Sequence, residues 1–162
     1  MIGRMDIPSG WKVVINYSKG HYNTENYVPN LIGNTHNSKD IINLQRGFLN
    51  EEDLSLLLYA SDAVILPYKV TTGSGVMFDA LAHGIPFVAS DLGFFKEFAE
   101  QGLGITVKRM ARAFSSGIKR LDSNYDYDYY IENIEKFKKN LRWDVVASEH
   151  ESIYSSIVEP KN

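Results

Sequence analysis

The chain has 162 residues, 44% of them hydrophobic, a net charge of −3 and no cysteine. That is enough for one globular domain with a buried core; the charge argues against a general nucleic-acid surface, and the lack of cysteine excludes disulfides and thiolate metal sites. No apolar run approaches the roughly 18 residues that span a bilayer, and the N-terminus does not read as a signal peptide, so a cytoplasmic protein without a transmembrane segment is expected.

In chain order, "WKVVINYS" from Trp11 to Ser18 is rich in Val and Ile and predicts a strand. "KGHYNTENY" is polar and turn-prone, "TENYVPNLI" can hold a helix weakened by Pro29, and "GNTHNSKD" is a loop. A second strand is expected over Ile41 to Gly47. "NEEDLSLLLYAS" then reads as a helix, with Asn50 as its cap and Glu51, Glu52 and Asp53 suited to its positive end. "DAVILPY" is apolar without alternation, the pattern of a strand covered on both faces. "SGVMFDALAH" is a helix ended by Gly84, and "IPFVAS" a strand with Pro86 at its start. "GFFKEFAEQ" reads as a helix, "GITVK" as a strand and "RMARAFSSGIKRL" as a helix. The tyrosine-rich "NYDYDYYIENIEKF" reads as a polar loop entering a helix, and the chain is helical from about Asp126 to Val158 with a break near "NLRWD". Trp143 and Tyr154 are expected to pack these last helices against the sheet. The alternation is that of βαβ units: an α/β protein with a Rossmann-like parallel sheet and helices on both faces, as one domain over 1–162.

Such sheets bind ligands beyond the C-terminal ends of their strands. The richest of these loops runs from Tyr68 to Gly75. Gly73 and Gly75 let a ligand approach the backbone, the next helix offers free amides and a positive dipole end, Thr71, Thr72 and Ser74 add hydroxyls, and Lys69 adds charge. This suits a phosphate or diphosphate, although glycines and hydroxyls also precede helices simply to turn and cap the chain. Gly75, Asp79 and His83 follow at four-residue steps on one helix face, while Val76, Met77, Ala80 and Leu81 can cover the core. A carboxylate one turn from a phosphate-binding tip can accept hydrogen bonds from a sugar diol; the competing assignment is a solvated face with an Asp79–His83 pair. His21, His36 and His150 show no metal spacing.

"SDAVILPYKVTTGSGVMFDALAHGIPFVASDLGFFKEF" resembles the donor-binding core of retaining glycosyltransferases of family 4, which have the GT-B fold. "INLQRGFLNEEDLSLLLYASD" is similar to the family's preceding strand, turn and helix, and "FKKNLRWDVVASEHESIYSSIV" to its closing helix, so that 140–162 is expected to be that helix. The resemblance implies binding of a nucleoside diphosphate sugar, UDP- or GDP-linked, with no cofactor and no metal. Asp79 stands where the family's second glutamate binds ribose hydroxyls. Gly73, Ser74, Gly75 and Val76 match the loop whose amides contact the donor, Gly47 and Phe48 lie where backbone groups meet the base, and Asp91 falls in the loop beside the same cleft. His83 and Lys69 are further candidates for donor phosphate.

This chain departs from the family's pattern in three ways. The family's first glutamate, eight residues before the second, falls on Thr71. Of the family's first strand and helix, with the Arg and Lys that hold the diphosphate, residues 1–10 offer a stump in which Arg4 echoes the Arg. The N-terminal acceptor domain is expected to lie outside this chain. The missing strand leaves interior edges for the N-terminal segment or a second protomer to cover, the latter giving a homodimer through the incomplete sheet. The chain is expected to bind donor but to be inactive alone, needing a separate acceptor-binding domain or chain. No general base is nominated and the catalytic residues remain unassigned. The alternative is a catalytically inactive nucleotide-binding or protein-interaction module, and the inner membrane surface is open as a peripheral location.

Overall fold

The apolar runs that lack alternation become short parallel strands, and the capped amphipathic segments become the helices between them. The computed structural model describes Met5 and residues 10–17, 42–122 and 124–158. Arg4 and the helix expected in "TENYVPNLI", with the loops around it, lie outside the described residues. In chain order the elements are β1 (Val13–Tyr17), β2 (Ile42–Arg46), α1 (Glu51–Tyr59), β3 (Val64–Leu66), α2 (Gly75–Ala82), β4 (Phe87–Ser90), α3 (Gly93–Ala99), β5 (Gly104–Val107), α4 (Ala111–Leu121), α5 (Asn124–Asn140) and α6 (Trp143–Val158). Asn50 caps α1 as expected, its side chain accepting from the Asp53 amide at 2.7 Å. Gly84, at φ +79°, turns the chain after α2 in a conformation that glycine adopts without strain.

All strand pairs are parallel, but they form two sheets. β1 pairs with β2 from Val13↔Ile42 to Tyr17↔Arg46. β4 lies between β3 and β5, with Val64↔Phe87 and Phe87↔Gly104 setting the register. Among the described residues no ladder joins the two sheets. Met5 and Trp11 pack against the cluster built on Val88 and Ile105, so this part of the chain covers apolar surface without adding a strand among the described residues.

Residue alternation along β4 explains why all four of its residues are buried. Phe87 and Ala89 face α2 and α3, joining Leu66, Met77, Leu81 and Phe95 in one cluster. Val88 faces α4, joining Ile105, Phe114, Ile118 and Leu121 in another. Helices therefore cover both faces. The helix α5 ties them together, with Tyr130 in the α4-side cluster and Ile134 in the other. The tyrosine-rich stretch is thus helical from Asn124, not a loop entering a helix. Tyr127, Tyr130, Ile134 and Phe137 recur at helical spacing along its apolar side. Burial, and secondarily the charge of Asp62, pushes the Tyr127 phenol above its ordinary value.

The end of the chain departs from expectation. The helix α6 has no buried residue; Trp143 is 87% and Tyr154 63% exposed, so neither packs against the sheet. Val76, expected in the core, is also exposed, while Met77, Ala80 and Leu81 are buried. Among the described residues no helix is long and apolar enough to cross a membrane.

Candidate functional site

The loop from Pro67 to Ser74 joins the C-terminal end of β3 to the start of α2. Two of its three aliphatic hydroxyls are used by the loop itself. Thr71 closes a tight turn, its hydroxyl donating to the Gly73 carbonyl and accepting from the Gly73 amide at 3.1 Å. Ser74 is the N-cap of α2, with extended backbone and a side chain that accepts from the Met77 amide at 3.2 Å. Its hydroxyl also donates to the Tyr68 phenol oxygen at 3.4 Å, and Tyr68 is held edge-on against Phe95 with ring centres 5.6 Å apart. The aromatic core thereby fixes the position of the cap.

With Met77 capped, the amides of Gly75 and Val76 remain at the helix tip without intrahelical acceptors. A Cβ placed on Gly73 or Gly75 would meet nothing within 4 Å, so the space in front of both glycines is open. The tip therefore presents amide hydrogens and a positive dipole end to that space. Ser74→Ala is expected to lower stability by about 1 kcal/mol through loss of the cap. Denaturant unfolding measures it, and a change below about 0.3 kcal/mol would show that the cap contributes nothing beyond what a small residue provides.

Asp79 lies one turn, about 6 Å, along α2 from Gly75. It is exposed, and its carboxylate makes no hydrogen bond or ion pair among the described residues. His83 does not pair with that carboxylate. Its Nδ1 meets the Asp79 backbone carbonyl at 2.7 Å and its Nε2 the Ser55 hydroxyl at 2.8 Å, while its ring packs edge-on against Tyr59. His83 thus ties α2 to α1, at the opposite end of α2 from the glycines.

Among the other candidates, Lys69 and Thr72 are exposed on the same loop. Asp91 follows β4, its amide donating to the Val107 carbonyl at 2.8 Å and its carboxylate paired with Lys96 at 2.9 Å. Gly47, at φ +119°, ends β2 in the separate sheet; its carbonyl accepts from the Asn16 amide group at 3.2 Å, and Phe48 beside it is 95% exposed. The structure brings Lys69, Thr71, Gly73, Ser74, Gly75 and Val76 together on one loop and helix tip, with Asp79 a turn away, and leaves Gly47 and Phe48 on a sheet that, among the described residues, no ladder connects to them. It also adds a residue absent from the sequence reading. Arg109, after β5, donates from Nε to the Pro67 carbonyl at 3.0 Å. Its position just beyond "GITVK", at a strand end, was the available signal.

Residues 23–124 match the family described as Glycosyl transferases group 1. The chain belongs to that family. Over 117 residues it is 28% identical to an uncharacterized glycosyltransferase of Methanocaldococcus jannaschii, an alignment covering 70% of this chain and 30% of that protein. Its fold superposes with TM-score 0.69 on sucrose-phosphate synthase from Thermosynechococcus elongatus, at 17% identity, covering 89% of this chain and 38% of that one. The chain thus spans about a third of the length of each of these proteins. The likeness establishes the GT-B type of fold for this group 1 glycosyltransferase chain, with the glycine loop and α2 at the carboxyl ends of its parallel strands.

Proposed function

We propose that this chain is the donor-binding part of a retaining, family 4 glycosyltransferase, and that it binds a UDP- or GDP-linked sugar for hexosyl transfer. The observation that carries the reading is the Asp79 carboxylate, exposed and unpartnered one turn below an open, amide-bearing glycine tip. In this reading the carboxylate accepts hydrogen bonds from the ribose diol, and the diphosphate rests on the Gly75 and Val76 amides. Those amides and a nearby cation stabilise the leaving diphosphate, with no metal required. Transfer itself needs an acceptor-binding domain or chain, and the setting is cytoplasmic.

Titration calorimetry with UDP, GDP and their sugars tests this. One nucleotide is expected to bind at millimolar affinity or better, and Asp79→Ala to weaken it about tenfold or more, as loss of hydrogen bonds to a charged group does. Equal binding by Asp79→Ala would sink the role given to that carboxylate. A second reading, a nucleotide-binding or protein-interaction module without catalysis, is favoured by Thr71, which occupies the place of the family's first glutamate and has its hydroxyl engaged in the turn. That reading predicts nucleotide binding without transfer when an acceptor domain is supplied, or no nucleotide binding at all.

A further inference from the structure

We propose that Arg109 is a second binding residue of the same site and holds the diphosphate of the donor. The inference rests on the donor-site reading and extends it to a residue on a different loop. Arg109 follows β5, yet its Nε is fixed on the carbonyl of Pro67, the residue after β3, from which the glycine loop departs. The side chain therefore reaches from the outer strand to the root of that loop. One of its five N–H groups is used there; the guanidinium's two terminal nitrogens make no other hydrogen bond or ion pair among the described residues. A fork held by one bond, with its remaining donors exposed, is preorganised for the planar, two-oxygen contact that phosphate offers.

The surroundings give this cation no anion. The ion pairs among the described residues are Lys96–Asp91, Lys138–Glu135 and Arg142–Asp144. Lys69, Lys108, Arg109 and Arg112 take no part in them, although the whole chain is net negative at −3. The first turn of α4 holds no acidic residue, its cap Met110 makes no side-chain hydrogen bond, and Arg112 stands in it instead. A cation at a helix N-terminus opposes the dipole, so the carboxyl edge around Arg109 carries uncompensated positive potential that an anion would relieve. Arg4 and a loop lysine are the cations that the family pattern would supply from the first strand and helix. Arg109 provides charge from the loop after β5, at the root of the glycine loop.

The test is a set of titrations of the 162-residue chain with inorganic pyrophosphate, with UDP and GDP, and with uridine and guanosine. Arg109→Gln is expected to weaken pyrophosphate and the bound nucleoside diphosphate by about tenfold or more, while leaving nucleoside affinity unchanged. Arg109→Lys should recover part of the loss, since it keeps the charge but not the fork. Asp79→Ala should show the opposite pattern, weakening the nucleoside and sparing pyrophosphate. Unchanged pyrophosphate affinity in Arg109→Gln, an equal loss for nucleoside and diphosphate, or a wild-type chain that binds neither pyrophosphate nor a nucleoside diphosphate would each overturn the inference. If pyrophosphate binds in an Arg109-dependent way while no nucleotide gains from its base and ribose, the donor reading fails and the anion site stands. Melting temperatures identify any variant that does not fold; should Arg109→Gln be one, several-fold weaker pyrophosphate binding by Arg109→Lys supports the role, and unchanged binding removes it.

Discussion

Phe95→Ala is expected to lower the unfolding free energy by about 3–5 kcal/mol, the range for removing a fully buried aromatic ring. Phe95 has no exposed surface and stands at the centre of an aromatic group, with ring centres 5.6 Å from Tyr68, 6.0 Å from Phe87 and 5.4 Å from Phe94. The first two contacts belong to β3's continuation and to β4, so the ring joins the sheet to α3. Collapse into the vacated space would have to move Phe87, which lies on the central strand and is held by ladders on both sides. The cavity would therefore persist, and its persistence is what brings the cost to the upper part of the range. In a chain of this size the loss corresponds to a melting temperature lower by about 6–20 °C. The substitution also removes the support of Tyr68, whose phenol oxygen accepts the hydrogen bond of the α2 cap, so donor binding should weaken in protein that remains folded. A stability loss below about 1 kcal/mol in denaturant unfolding would show that the cluster repacks freely, contrary to this account.

The local parts of this architecture were open to a reading of the sequence because local physics decides them. "DAVILPY" and "IPFVAS" lack alternation, and their strands are covered by helices on both faces. Asn50 and Gly84 announced a cap and a stop, and both act as such. The exposed side of α2 followed from four-residue steps, which set Asp79 opposite Met77, Ala80 and Leu81. Features that depend on distant partners were not legible. Trp143 and Tyr154 have the chemistry of packing residues, but burial requires a facing surface, and α6 finds none among the described residues. The tyrosine-rich stretch looked polar because Asp and Asn separate its aromatics, yet Tyr127, Tyr130, Ile134 and Phe137 already held the helical stripe that seats α5 on both clusters. The pairing of β1 with β2 across the residues between them and the bond from Arg109 to Pro67, 42 residues apart, are non-local pairings that no window of sequence displays.

Gly104→Ala should destabilise the chain by about 3 kcal/mol, at the top of the usual range for overpacking. Gly104 is buried opposite Phe87 in the β4–β5 ladder. An added Cβ would lie 2.5 Å from the Phe87 carbonyl oxygen and 2.7 Å from its ring. Neither neighbour can yield cheaply. The oxygen belongs to the backbone of the central strand, and the ring is fully buried against Phe95. Gly117→Ala in α4 is the informative contrast. Its Cβ would approach only the Val107 and Val88 methyl groups, at 3.0 and 3.1 Å, and alanine regains about 1 kcal/mol of helix propensity over glycine. Gly117→Ala is therefore expected to change stability by less than about 1 kcal/mol in either direction, because the two contributions oppose each other. Denaturant midpoints of the two variants decide the matter: similar midpoints would mean that the β4–β5 ladder moves aside for a methyl group. That ladder sets where Asp91 and Arg109 emerge, since both follow strands it joins. If it resists as argued, folded Gly104→Ala protein should also bind pyrophosphate more weakly, whereas Gly117→Ala should bind it as the parent chain does.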